Sequence, residues 1–123
     1  METGVERIAK ERKRQIEQES WSAEHDDEHS DGSLAMAAAC YASRERLFVE
    51  RRFAAGVTFA DPWPWDGYSD KRPHNGNVLK KPTEEQYLRQ LEKAGALIAA
   101  EIDRLLRRRA RAEKKAEAKQ AGE

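Results

Sequence analysis

Leu34-Ala35-Met36-Ala37-Ala38-Ala39-Cys40-Tyr41-Ala42 decides the fold, because a helix built from it carries apolar residues on every side. A helix that is apolar all round is a buried one. Most of its side chains are methyl groups, so neighbouring helices can approach it closely. The preceding Ser30-Asp31-Gly32-Ser33 supplies turn and cap chemistry. The pattern predicts that the helix continues through Phe48 and Val49 until Gly56 ends it. With Leu34 as reference and about 100° per residue, Tyr41, Phe48 and Val49 share its face. Glu45 falls there too, and a carboxylate inside an apolar stripe requires a partner.

On the N-terminal side, Val5 to about Glu19 is rich in helix formers, with Val5, Ile8 and Ile16 on one broad stripe and Arg12 between them. Ser20-Trp21-Ser22 interrupts that helix, and Ser20 or Ser22 can cap a short turn carrying His25-Asp26-Asp27-Glu28-His29. On the C-terminal side, Thr83 with Gln86 three residues later makes a capping-box pattern. It opens a helix running past Leu106, with Tyr87, Leu88, Leu91, Ala94, Gly95, Ile98, Ile102 and Leu105 as its apolar stripe. Gly95 leaves room for close backbone approach, and Glu101 lies at the stripe's edge. Between these helices, residues 56–82 hold all four prolines and four aromatics without helical or strand periodicity, the mark of a long binding loop or lid.

The expected architecture is therefore all-α: a small bundle of three main helices, with residues 1–106 as one domain and 107–123 as a charged, partly disordered helical tail. At 123 residues the chain has room for one core. With 38% hydrophobic against 37% charged residues, the interior is small and a homo-oligomer is expected. The net charge is zero, yet residues 17–31 hold seven acids and no Lys or Arg, while residues 104–119 hold eight basic residues against two acids. Cys40 is the only cysteine, which excludes an internal disulfide and suits an inert core position in a reducing, cytoplasmic compartment. No run approaches the roughly 18 apolar residues of a membrane span.

Three constellations carry candidate chemistry. His25 and His29 are four apart, a helical spacing that lets two imidazoles reach one transition metal, and Asp26, Asp27 and Glu28 lie between them. The competing reading is an acidic stretch that favours the positive end of the next helix. Glu45 and Glu101 come from the two most apolar helices, and inward carboxylates of facing helices are the usual way a bundle holds a divalent ion. With Asp26 and Asp27 they would suit Mg²⁺ or Mn²⁺, with Zn²⁺ ranked behind, unless arginines neutralise them instead. Asp61-Pro62-Trp63-Pro64-Trp65-Asp66, followed by Lys71 and Arg72, offers indoles to stack a base and cations for phosphate. The same tryptophans would serve as a lid over a core short of bulk. His74 is expected in a turn, and the Arg-rich tail as a solvated helix end.

The blocks Glu19-Ser20-Trp21-Ser22-Ala23-Glu24-His25-Asp26-Asp27-Glu28-His29, Leu34 to Ala42, Asp61-Pro62-Trp63-Pro64-Trp65 and Lys93-Ala94-Gly95-Ala96-Leu97-Ile98-Ala99-Ala100-Glu101-Ile102 resemble an uncharacterised family of small helical phage and prophage proteins. A weaker similarity is to the MazG-like all-α nucleotide pyrophosphohydrolases, in which carboxylates of two helices hold Mg²⁺. The chain departs from their Glu-x-x-Glu and Glu-x-x-Asp motifs, having Glu45 and Glu50 in one helix and Glu101-x-Asp103 in the other.

Together these point to a phage-type protein that binds a nucleotide or phosphorylated small molecule. If it hydrolyses its ligand, Asp26, Asp27, Glu45 and Glu101 would hold the metal and His25 or His29 would serve as ligand or general acid/base. Trp63 and Trp65 would then stack the base, with Lys71 and Arg72 on phosphate. The alternative is a non-catalytic anti-defence protein that sequesters a nucleotide signal or inhibits a host protein.

Overall fold

Thr3 starts the first helix with its side chain. Its Oγ1 accepts from the Glu6 amide at 3.2 Å, and the Glu6 carboxylate accepts from the Thr3 amide at 3.3 Å. This reciprocal capping box satisfies two donors that no helical carbonyl can reach. The computed structural model describes residues 1–73 and 81–122. In chain order its elements are α1 (Gly4–Gln18), α2 (Ala23–Asp27), α3 (Ser33–Ala42), β1 (Val49–Phe53), β2 (Gly56–Ala60) and α4 (Glu84–Ala121). The protein is mostly helical, with the long α4 packed on the three N-terminal helices, chiefly on α3 and α1. No helix among the described residues is long and apolar enough to cross a membrane.

The core lies where α3 meets α4. Leu34, Ala37, Ala38 and Tyr41 pack on Ala94, Leu97 and Ala100, all buried, and Trp21, Trp63 and Trp65 close over them. Contact between two alanine-rich surfaces lets the helix axes approach, and the indoles supply the bulk that methyl groups lack. Two side-chain bonds lock the end of α3 to α4: Gln90 Nε2 donates to the Tyr41 carbonyl at 3.0 Å, and the Tyr87 hydroxyl donates to the Ala42 carbonyl at 3.1 Å. Thr83 caps α4 through the Gln86 capping box that the sequence predicts.

Three sequence expectations are corrected. The central helix does not reach Gly56. It stops at Ala42, where Ser43 turns to an extended backbone and its hydroxyl donates to the Glu45 carbonyl. Residues 49–60 instead form an antiparallel hairpin, with Val49 opposite Ala60, Arg51 opposite Thr58 and Phe53 opposite Gly56. Gly56 therefore begins a strand rather than ending a helix, and its φ of 142° is one that a side chain would strain. The all-α, three-helix expectation becomes four helices plus this hairpin, and the irregular segment begins only after Ala60. His74 and Lys80 lie outside the described residues.

The apolar stripes are also redistributed. On α1, Val5 and Ile16 are exposed, and the buried residues are Glu11 and Gln15. On α4, the face buried against α3 is Ala94, Leu97 and Ala100, while Leu88, Leu91, Ile98, Ile102 and Leu105 remain exposed. Small side chains win the interface because they allow closer approach, which turns the larger ones outward. At Gly95 the space is taken by a side chain rather than by backbone. A Cβ there would lie 2.5 Å from Ile8 Cδ1.

Candidate ligand site

Ser22, not Ser20, caps α2, its Oγ accepting from the His25 amide at 3.2 Å. Ser20 instead holds a left-handed φ of 59° that turns the chain out of α1. The acidic run that follows is tied down residue by residue. Asp26 is fully buried and accepts from Arg12 Nη2 at 2.8 Å. Asp27 accepts from Arg107 at 2.9 Å and Arg111 at 3.3 Å. The hydrogen bond from Arg107 is the main reason its carboxyl is held below the ordinary aspartate value. The start of the basic C-terminal segment is thereby fastened to α2.

The imidazoles stand in an aromatic array. His25 stacks on Trp21 with ring centres 5.7 Å apart, and its own ring lies 5.0 Å from that of His29. His29 follows the end of α2 and packs at 5.1 Å against Trp65.

Asp26, Asp27, Glu45 and Glu101 do not converge. Among the described residues no group of three or more His, Cys, Asp or Glu side chains is placed to hold a metal ion. Glu45 lies beyond the end of α3, exposed, with Lys81 at 3.0 Å. Glu101 pairs with Arg104 one helical turn away at 2.5 Å. Asp26, Asp27 and Glu101 are thus each paired with an arginine and Glu45 with a lysine.

Trp63 and Trp65 both pack against the core, at 5.6 Å from one another, with Trp63 edge-on to Tyr41 at 5.4 Å. Arg72 lies over the Trp63 ring at 5.1 Å and pairs with Asp70 at 2.7 Å and Asp61 at 2.9 Å. Only 6% of its side chain is exposed, so its guanidinium is engaged within the fold. Arg46 completes the set on Asp61, whose carboxyl also accepts from the Trp63 amide at 3.0 Å. Burial pushes the Asp61 carboxyl up, but that amide and the two guanidiniums outweigh it and hold it below the ordinary value. This network is what stiffens the proline-rich segment.

Lys71 is placed differently. Its amide donates to the Tyr41 hydroxyl at 3.1 Å, which sets the residue at the rim of a cavity of about 200 Å³ that also reaches Gln15, Trp21 and Lys93. A second hollow of about 250 Å³, bordered by Gln86 and Arg89, shares Lys71 and Lys93 with the first. Neither lysine has a carboxylate partner among the described residues. Lys93 lies 5.6 Å from the centre of the Tyr41 ring, and burial, with Arg89 nearby, pushes its amine below the ordinary lysine value. Gln15, 1% exposed, donates from Nε2 to Glu11 at 3.3 Å and leaves its Oε1 without a partner among the described residues.

Glu11 is shared by Arg14 and Arg89, each at 2.7 Å. Burial raises its carboxyl, and hydrogen bonds from both arginines more than reverse that.

Of the sequence candidates, the fold thus brings His25, His29, Trp63 and Trp65 into one aromatic cluster and leaves only Lys71 with a free cation beside a cavity. Lys93 and Gln15 were missed. Lys93 is legible in retrospect, since it sits four residues before Leu97 on the buried side of α4. Gln15 gives no signal, because Glu11 and Gln15 in a charged helix look like a solvated face. Comparisons with family models, with curated proteins and with solved structures return no match to this chain.

Proposed function

We propose that this chain binds a phosphorylated small molecule of about mononucleotide size in the two adjoining hollows around Lys71 and Lys93, and holds it without hydrolysing it. The observation that carries this reading is the pair of amines without carboxylate partners, both lining the same cavity beside the core. A phosphate between the two ammonium groups would gain charge-assisted hydrogen bonds. The Trp21 and Tyr41 rings supply apolar wall. Each hollow falls short of the roughly 300–1,000 Å³ of pockets for drug-sized ligands, but together they enter that range.

Sequestration is favoured over metal-dependent hydrolysis because Asp26, Asp27, Glu45 and Glu101 are each engaged by a cation of the chain itself. In a phage or prophage setting, such a protein would withhold a nucleotide signal from the host.

The test is a thermal-shift and calorimetric survey of nucleoside mono-, di- and triphosphates and sugar phosphates, with and without Mg²⁺ or Mn²⁺. One ligand should bind at one site per chain, lose at least about tenfold in affinity with Lys71→Met or Lys93→Met, and be recovered intact after heat denaturation. No binding by any phosphorylated compound would sink the proposal, and recovery of a cleaved product would replace it with the hydrolase reading.

A further inference from the structure

Along α4, Leu88, Leu91, Gly95, Ile98, Ile102 and Leu105 recur at alternating intervals of three and four residues. That is the seam of a two-stranded coiled coil. In the folded chain the seam is open: Leu88, Leu91, Ile98, Ile102 and Leu105 are 37–51% exposed, since α1 and α3 cover the other sides of the helix. Ile8 of α1 fills the space above Gly95, so the apolar strip is not broken there. The same spacing reaches Glu84 at one end and Arg109 at the other, both exposed and neither in an ion pair among the described residues.

The geometry points to a second copy of this chain as the occupant, with the two α4 helices antiparallel about a two-fold axis at the level of Ala96 and Leu97. In that register Leu88 meets Leu105 of the other copy, Leu91 meets Ile102, the position at Gly95 that Ile8 fills meets Ile98, and Glu84 meets Arg109. Every layer of the seam is matched and both ends close with opposite charges, as an isologous interface requires. The contact extends over about 38 Å at 1.5 Å per residue.

The parallel arrangement would set Glu84 on Glu84 and Arg109 on Arg109. It would also lay together two segments that each hold eight basic residues and two acids over residues 104–119. Like charges across a seam disfavour that pairing.

Light scattering on the eluting full chain should give twice the 14.1 kDa chain mass. Ile98→Glu should yield a monomer with unchanged helical circular dichroism, whereas Phe59→Glu, on the equally exposed hairpin, should leave the dimer intact. Spin labels on Lys115→Cys in a Cys40→Ala background should lie roughly 55 Å apart, against less than about 20 Å for parallel helices. A monomer at tens of micromolar, dissociation by Phe59→Glu in place of Ile98→Glu, or the short label distance would each overturn the proposal.

Discussion

Arg12 and Asp26 join α1 to α2 through an ion pair of 2.8 Å, with the carboxylate fully buried and the arginine side chain 14% exposed. Two further nitrogens of that guanidinium, Nε and Nη1, are buried without partners among the described residues. The pair therefore fixes where α2 sits without being an optimal source of stability. Arg12→Ala should cost about 3–5 kcal/mol in urea unfolding, because it strands a buried charge. Replacing both residues together, Arg12→Met with Asp26→Leu, should cost clearly less than Arg12→Ala alone. A single-substitution loss below about 1 kcal/mol, typical of an exposed pair, would show that the ion pair does not seat α2.

Acid should unfold the protein through Glu11 and Asp61. Both carboxyls are held below their ordinary values of 4.5 and 3.8 by hydrogen bonds from arginines and, for Asp61, the Trp63 amide. A carboxyl depressed by folding adds stability that is complete above its unfolded value and is lost as pH falls through its folded one. Thermal melts should accordingly be flat from neutral pH to about 5 and fall below about 4.5. Glu11→Gln should lower the plateau and weaken the acid dependence.

Lys93 works in the opposite sense. Burial lowers its amine, so the charged form opposes folding at neutral pH, and this penalty fades as pH rises through the folded-state value toward the ordinary 10.5. Lys93→Met should raise Tm by a few degrees while abolishing ligand binding. A lower Tm would mean that the ammonium has a stabilising contact in the fold.

Arg72→Lys separates a structural role from a ligand role. The lysine cannot reproduce the contacts to Asp61 and Asp70 and the stacking on Trp63 together. Stability should drop by about 1–3 kcal/mol in chemical denaturation, with the ligand affinity of the folded protein unchanged. A large loss of affinity at full stability would return Arg72 to the phosphate-binding role first assigned from sequence.

The helical class, the helix over Leu34 to Ala42, a serine cap at Ser20 or Ser22 and the Thr83–Gln86 capping box were all legible in the chain, because each depends on residues within about one turn of each other. The burial expected all round that helix holds on one side only, and Ala35, Met36 and Ala39 are exposed. The hairpin was not. Ala54 and Ala55 at its turn favour helix, and both of its strands are largely exposed, so no buried alternation marks them.

What only the tertiary structure decided is the partnership of charges. Arg12 with Asp26, Arg107 with Asp27 and Arg46 with Asp61 lie 14, 80 and 15 residues apart in sequence, and no local rule selects one arginine among so many. The sequence by itself determined that carboxylates, imidazoles, indoles and cations would occupy these positions. Packing α4 on α1, α2 and α3 decided that the carboxylates meet arginines and lysines rather than one another. It also left Lys71 and Lys93 outside any ion pair among the described residues, with Glu11 and Glu19 acting on Lys93 only from a distance, because helix faces are chosen by closeness of approach over the whole core and not by the charge of any one residue.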